Sequence, residues 1–287
     1  MSDPVTYSEV FWSAADGTEI AARQWTGPRP HGVMLIVHGI GDHGGRFEHV
    51  ARHMATCGFD VLIPDMRGHG RSSGQRGYIR SLETLVDDLE LSLQQTSRIA
   101  PGHPLFVYGQ SFGGLLSMYY AMQRKPVIAG VTATSPPLRI AMRQPGWKVG
   151  LGNTLGKLLP RMSVNSGIDI EKLSDDPQVA GRLRADRYHH RRITPAAYNG
   201  MIEAGQWCLE FPNHLPLPML VMHGDADVIT DHLASQQFAH RHPAMCELKI
   251  WQDGMHELHN MTNNREILDT IVNFQNTCIR EVHRNTG

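Results

Sequence analysis

The chain has 287 residues, enough for one large α/β domain with an insertion or for two small domains. Its 41% hydrophobic and 19% charged content is that of a globular protein, and a formal net charge of −1 removes the electrostatic case for nucleic acid as a partner. Met1-Ser2-Asp3-Pro4 lacks the basic-then-apolar pattern of a signal peptide, no apolar run approaches the ~18 residues that span a bilayer, and the scattered Cys57, Cys208, Cys246 and Cys278 form no C-x-x-C pair, so a reducing cytoplasm is the expected compartment.

Residues 7–13 and 19–25 alternate in hydrophobicity and are joined by Ala15-Asp16-Gly17-Thr18, a hairpin signal. Residues 32–37 are a continuous apolar run, as in a strand buried on both faces. The loop His38-Gly39-Ile40-Gly41 follows it, then a predicted helix over 46–57, a strand over 60–64 and the loop Arg67-Gly68-His69-Gly70. Apolar residues at 82, 85, 86, 89 and 93 have helical spacing. A strand over 104–108, a helix over 115–122 and a strand over 128–134 come next. Strands alternating with helices imply parallel βαβ units with right-handed crossovers. From 138 to 215 no buried-strand pattern occurs, and the stretch reads as helices and loops rich in Gly, Pro and Arg. Regular alternation returns with a strand over 218–223, a helix over 231–240, a strand over 247–251 and a helix over 265–282. The architecture is therefore an α/β core in two parts, residues 1–137 and 216–287, with a helical insertion over 138–215 projecting from the carboxyl edge of the sheet. His189-His190 lies among arginines without metal-ligand spacing, and neither a metal nor a cofactor is expected.

Gly109-Gln110-Ser111-Phe112-Gly113 sits between a predicted strand and a predicted helix, the setting of a nucleophile elbow. A turn this sharp strains the serine backbone, and side chains at 109 or 113 would collide with the neighbouring strand and helix. A serine hydroxyl needs a base at neutral pH and the base needs an orienting acid. Both should lie at the carboxyl ends of later strands. There the chain offers Asp225 or Asp227, then His256 or His259. Asp225 also reads as a turn-former, and His259 as a solvated residue opening the last helix. An oxyanion hole needs two backbone N–H groups: Phe112 follows the nucleophile, and Ile40 lies in the loop after an early strand.

The chain resembles the monoacylglycerol lipase and lysophospholipase branch of the α/β-hydrolases. The resemblance rests on His38 to Phe47 (HGIGDHGGRF), Asp65 to Gly74 (DMRGHGRSSG), Gly109 to Gly114, Gly224-Asp-Ala-Asp227 and Gly254 to His259. It covers nearly the whole chain, most loosely over 138–215. It implies the α/β-hydrolase fold, with a mostly parallel sheet flanked by helices. It also implies Ser111, Asp227 and His256 as catalytic triad with Ile40 and Phe112 as oxyanion donors, and 138–215 as a cap. The reaction implied is hydrolysis of monoacylglycerol-like single-chain esters through an acyl-enzyme, with a small acyl ester as the substrate. Lysophospholipid, thioester or general short-chain ester hydrolysis are the alternatives, and a non-catalytic receptor on the same fold the remote one. Gln110 and Phe112 replace the His and Met common at the elbow, which implies a bulkier pocket floor. Peptide hydrolysis of the iminopeptidase kind would call for acidic residues in the cap, whose early part is basic. In that part Trp147, Leu151, Leu155, Leu158 and Leu159 form an apolar stripe, with Arg139, Arg143, Lys148, Lys157 and Arg161 around it. This pattern suits either contact with an anionic lipid surface or a helix covering the pocket.

Overall fold

The computed structural model describes residues 5–141 and 161–286. The apolar stripe at 147–159 falls outside them. Strands β1 (Thr6–Ser13) and β2 (Glu19–Thr26) form the expected antiparallel hairpin, turning at Gly17 with φ +82°. Then come β3 (Gly32–Val37), a 3-10 turn (Gly44–Phe47), α1 (Glu48–Thr56), β4 (Phe59–Pro64) and α2 (Leu82–Ser97). The single helix expected over 46–57 is thus two elements, because the His43 ring accepts the Gly45 N–H and caps the 3-10 turn. Strand β5 (Leu105–Gln110), α3 (Phe112–Arg124) and β6 (Gly130–Thr134) complete the first part.

Next are β7 (Val164–Asn165), α4 (Pro177–Ala185), β8 (Arg192–Ile193) and α5 (Pro195–Glu210), followed by β9 (Met219–Gly224), α6 (His232–Arg241), β10 (Cys246–Trp251) and α7 (Asn264–Thr286). Two-residue β7 and β8 pair only with each other.

The main sheet has eight strands in the order β1-β2-β4-β3-β5-β6-β9-β10. β1, β2 and β4 pair antiparallel, and every other neighbour is parallel. Each central strand alternates its side chains between two cores. Leu35, Val37, Val107, Val131, Ala133 and Val221 face α2, α3 and α5, whereas Met34, Ile36, Phe106, Tyr108, Leu220 and Met222 face α1 and α7. That is why β3 reads as an unbroken apolar run.

From β3 the chain moves to β4 on one side, then returns past β3 to β5 on the other. The crevice between the carboxyl ends of β3 and β5 is the topological switch point, where open α/β sheets take ligands.

Of the stretch 138–215, α5 contributes Ala197, Met201, Ala204, Cys208 and Leu209 to the core beside α2 and α3. Leu173, Val179 and Leu183 form a small separate cluster with Ile229. No helix among the described residues is long and apolar enough to cross a membrane.

The start of α3 lies hard against the end of β3. A Cβ at Gly113 would run into the Val37 and His38 carbonyl oxygens, and one at Gly109 into the Gly113 carbonyl. Gly113→Ala is therefore expected to destabilise by about 1–3 kcal/mol or more, since backbone must move to admit the methyl. A urea midpoint matching wild type would contradict this packing.

Candidate active site

Ser111 joins β5 to α3 with φ 52° and ψ −122°, a left-handed conformation that a non-glycine residue holds only under strain of about 1–3 kcal/mol. Its N–H donates to the Thr134 carbonyl at 2.8 Å and its carbonyl accepts from Leu115 N–H at 3.0 Å. Although Ser111 occupies the N-cap position of α3, its hydroxyl makes no capping bond. Instead Oγ lies 3.0 Å from His256 Nε2.

His256 follows β10, and its Nδ1–H donates to Asp227 Oδ2 at 2.8 Å. Asp227 follows β9 and is fixed from several sides. Its Oδ1 accepts the N–H groups of Ile229 (2.8 Å) and Thr230 (3.1 Å), and its Oδ2 accepts the Thr230 hydroxyl at 2.7 Å. Buried His223 lies with Nε2 3.2 Å from Asp227 Oδ2, and its Nδ1 is 2.8 Å from the Ser235 hydroxyl. The β9 and β10 loops can meet because Gly224 and Gly254 touch back to back: a Cβ on Gly224 would run into the Gly254 carbonyl.

Of the alternatives open in the sequence, Asp225 is exposed, and its Oδ1 accepts Asp253 N–H at 2.7 Å, tying the two loops rather than closing a turn of its own. His259 is not solvated. It is fully buried in a 3-10 turn (Leu258–Asn260) and stacks on Phe47 with ring centroids 4.4 Å apart. Burial pushes its imidazole down to about 3.

Burial alone would raise the Asp227 carboxyl. The charge of His256 and the hydrogen bonds from His223 and His256 overcome that and hold it well below the usual carboxylate range. For His256 burial disfavours the charged form, but the Asp227 carboxylate and its hydrogen bond outweigh it and raise the imidazole above its ordinary 6.5.

The loop after β3 brings Ile40 to the same place. His38 is fully buried: Nδ1–H donates to the Gly39 carbonyl at 2.7 Å and Nε2 accepts Met66 N–H at 2.9 Å. Asp65 accepts Gly44 N–H and Arg71 N–H and pairs with Arg23, so the loops after β3 and β4 share one anchor. Phe112 opens α3, whose first N–H groups have no acceptor in the helix. Among the described residues neither Ile40 N–H nor Phe112 N–H has an acceptor. The Phe112 ring is buried in the core beside α2 and α3, and of the two unusual elbow residues Gln110 lines the described cavity at Ser111.

Arg46 closes the other wall. It pairs with Asp42 at 2.9 Å and with both oxygens of Glu257, at 2.9 and 2.5 Å. The residue beside His256 is thereby bound to the loop beside Ile40. A cavity of about 710 Å³ lies elsewhere, between α1, α4 and residues 260–264, and does not include Ser111. Among the described residues no cluster of His, Cys, Asp and Glu could hold a metal ion.

Chemically, the arrangement offers a half-buried hydroxyl, a base in reach of its proton, a carboxylate fixing the tautomer of that base and, among the described residues, N–H groups without an acceptor beside it. Thr230 and His223 carry no periodicity or motif signal, and Asp42, Arg46 and Glu257 lie within the stretches that carry the resemblance but with no mark of their pairing. Only the position of Thr230 three residues after Asp227 hinted at a turn bonded to the aspartate.

Residues 28–263 match the family Hydrolase_4, described as serine aminopeptidase, S33. A monoacylglycerol lipase of Mycolicibacterium smegmatis is 29% identical over 94% of this chain and 97% of its own. An uncharacterized abhydrolase domain-containing protein of Dictyostelium discoideum is 34% identical over 91% of this chain, which spans 28% of that longer protein. Among solved structures, the monoacylglycerol lipase of Paleococcus ferrophilus superposes with a TM-score of 0.79 at 25% identity, covering 96% of this chain and all of that one.

In Asp227→Asn the charge that raises His256 is gone while burial remains. The imidazole pKa, followed by NMR, is expected to fall below the wild-type value; an unchanged titration would show that Asp227 does not govern His256.

Proposed function

The chain belongs to the serine aminopeptidase S33 (Hydrolase_4) family and is an α/β-hydrolase of the monoglyceride lipase type; from that premise we propose that it is a serine carboxylic ester hydrolase acting on monoacylglycerols or similar single-chain esters. The observation that carries this reading is the continuous line from Ser111 Oγ to His256 Nε2 at 3.0 Å and from His256 Nδ1 to Asp227 Oδ2 at 2.8 Å.

In this mechanism His256 takes the Ser111 proton as Oγ attacks the ester carbonyl. The carbonyl oxygen, now negative, is received by the N–H groups of Ile40 and Phe112, each worth about 3–4 kcal/mol to the transition state. The positive end of α3 adds to this. As the tetrahedral adduct collapses, the alcohol leaves with the proton from His256, and the acyl group stays on Ser111. Water then attacks, with His256 as base again, and releases the fatty acid. Asp227 keeps its charge throughout. It holds Nδ1 protonated so that Nε2 is free to act as base.

Ester hydrolysis is favoured over aminopeptidase chemistry by the state of the nearby carboxylates. A free amine needs an unpaired carboxylate, and Asp42 and Glu257 are both committed to Arg46. Contact of the cap with a lipid surface rests on the sequence of residues 138–161.

Turnover of p-nitrophenyl esters is the direct test. Ser111→Ala is expected to lower kcat/KM at least about 10⁴-fold. Equal, slow rates in wild type and variant would sink the enzyme reading and favour a receptor. His256 acts as base only when neutral, and its pKa is raised. Activity should therefore increase as pH climbs through an acid limb above 6.5. In Asp227→Asn that limb should move to lower pH while the rate drops about 10⁴-fold. A limb that stays in place would argue against His256 as the titrating base.

A further inference from the structure

Among the residues lining the cavity at Ser111, His189 has both ring nitrogens buried and, among the described residues, without a hydrogen-bond partner. A buried polar atom left unpaired costs about 1–3 kcal/mol, so two such atoms on a residue of the cavity wall call for a reason. The neighbouring residue is fully engaged. His190 donates its backbone N–H to the Gly41 carbonyl at 2.9 Å, its Nδ1 accepts Arg192 N–H at 3.2 Å, and its Nε2 lies 3.3 Å from the Gly68 carbonyl. This fastens the segment carrying His189 to the loop that bears Ile40.

The buried charges around His189 have partners of their own. Arg46 is taken by Asp42 and Glu257, and Asp186 by His43. Burial keeps the His189 imidazole below its ordinary pKa and so neutral, with one donor and one acceptor. A hydroxyl, itself donor and acceptor, is its complement. A fully ionised phosphate has only acceptors to offer and would sit against Asp42 and Glu257; among the described residues the remaining cation of the cavity wall, Arg191, is exposed.

We propose that His189 binds a free hydroxyl on the alcohol half of the ester, so that the preferred substrates are monoesters of polyols rather than of simple alcohols. The proposal rests on the ester-hydrolase reading of the same site and adds a specificity-determining residue to it. His189 contributes to recognition of the leaving alcohol and not to the proton transfers at Ser111.

The test compares kcat/KM for a monoacylglycerol and for the methyl ester of the same acyl chain. In His189→Phe the ratio of the two is expected to fall about tenfold, the worth of roughly one neutral hydrogen bond with its unpaired partner. In His189→Asn, which keeps a donor and an acceptor, the ratio should recover in part. His189→Ala substitutes for the Phe variant if the larger ring prevents folding. An unchanged ratio in these variants overturns the proposal. So does a selective loss with the monoacyl glycerol phosphate of the same chain, which would assign the position to an anionic headgroup. A second arm measures the Kd of a glycerol monoalkyl ether, which cannot be hydrolysed, against the matching alkyl methyl ether by calorimetry. The glycerol ether should bind about tenfold more weakly to His189→Phe, and the selectivity should shrink with it. Ether binding that depends on His189 without any ester turnover would sink the hydrolase reading alone. Turnover with an unchanged ratio would sink the His189 reading alone.

Discussion

The close approach of α3 to the end of β3 is the constraint on which the site depends. Gly113 lies against the Val37 and His38 carbonyls at a distance that no side chain permits. That contact turns the chain sharply enough to hold Ser111 at φ 52°. It also sets the first N–H groups of α3 beside the loop that leaves β3. The proposed nucleophile, Ser111, and both candidate oxyanion donors are thus products of one packing contact at the switch point of the sheet. The strain at Ser111 is sustained because the surrounding core is fully packed on both faces, with β3, β4 and β5 buried almost throughout.

A second close contact, Gly224 on Gly254, does for Asp227 and His256 what the first does for Ser111. It brings together the loops after β9 and β10, whose strands pair in parallel to their last residues. The remaining freedom is removed electrostatically. Asp227 is held by two backbone N–H groups, by Thr230 and by two histidines. Arg46 bridges Asp42 to Glu257, and so links the oxyanion loop to the loop of His256. In a buried ion cluster the desolvation cost is offset only while every member is present, so such a bridge gives alignment more than net stability.

Much of this was legible in the sequence because local chemistry decides it. Glycines flanking Ser111, a doubly buried apolar run at 32–37, and acidic and basic residues placed just after two late strands each leave a mark in the order of residues. The choice between Asp225 and Asp227, or between His256 and His259, has no local mark. His259 looks like a polar residue opening a helix, yet it is buried through a stack on Phe47, far away in sequence. Likewise Arg46 and Glu257 are 211 residues apart, and His223 reads as one more residue of a buried strand. The orientation of Phe112 is also a packing outcome: its ring enters the core, so this difference at the elbow falls in the interior, whereas the other, Gln110, lines the cavity. Pairings over such separations are set by the assembled sheet, not by spacing along the chain.

The insertion is joined to the core in two distinct ways. α5 fills the hydrophobic face beside α2 and α3, whereas residues 161–193 are held to the surrounding loops by polar contacts, among them His190 to Gly41, Asp186 to His43, the Leu173 carbonyl to Glu257 N–H, Ser174 to the Asn260 carbonyl and Asp175 to Thr262, and by the small apolar cluster with Ile229. The boundary that matters for modular exchange therefore falls just before α5, at Thr194, whose side chain caps that helix. A chimera that keeps α5 preserves the part of the interior that Ala197, Met201, Ala204, Cys208 and Leu209 fill, though Leu138 and Ile193 before it also belong to that core. One cut after α5 would strip Met201, Cys208 and Leu209 from the core along with the cover. Selection on substrate range can thus act on the short segment before α5 while the scaffold beneath it drifts independently.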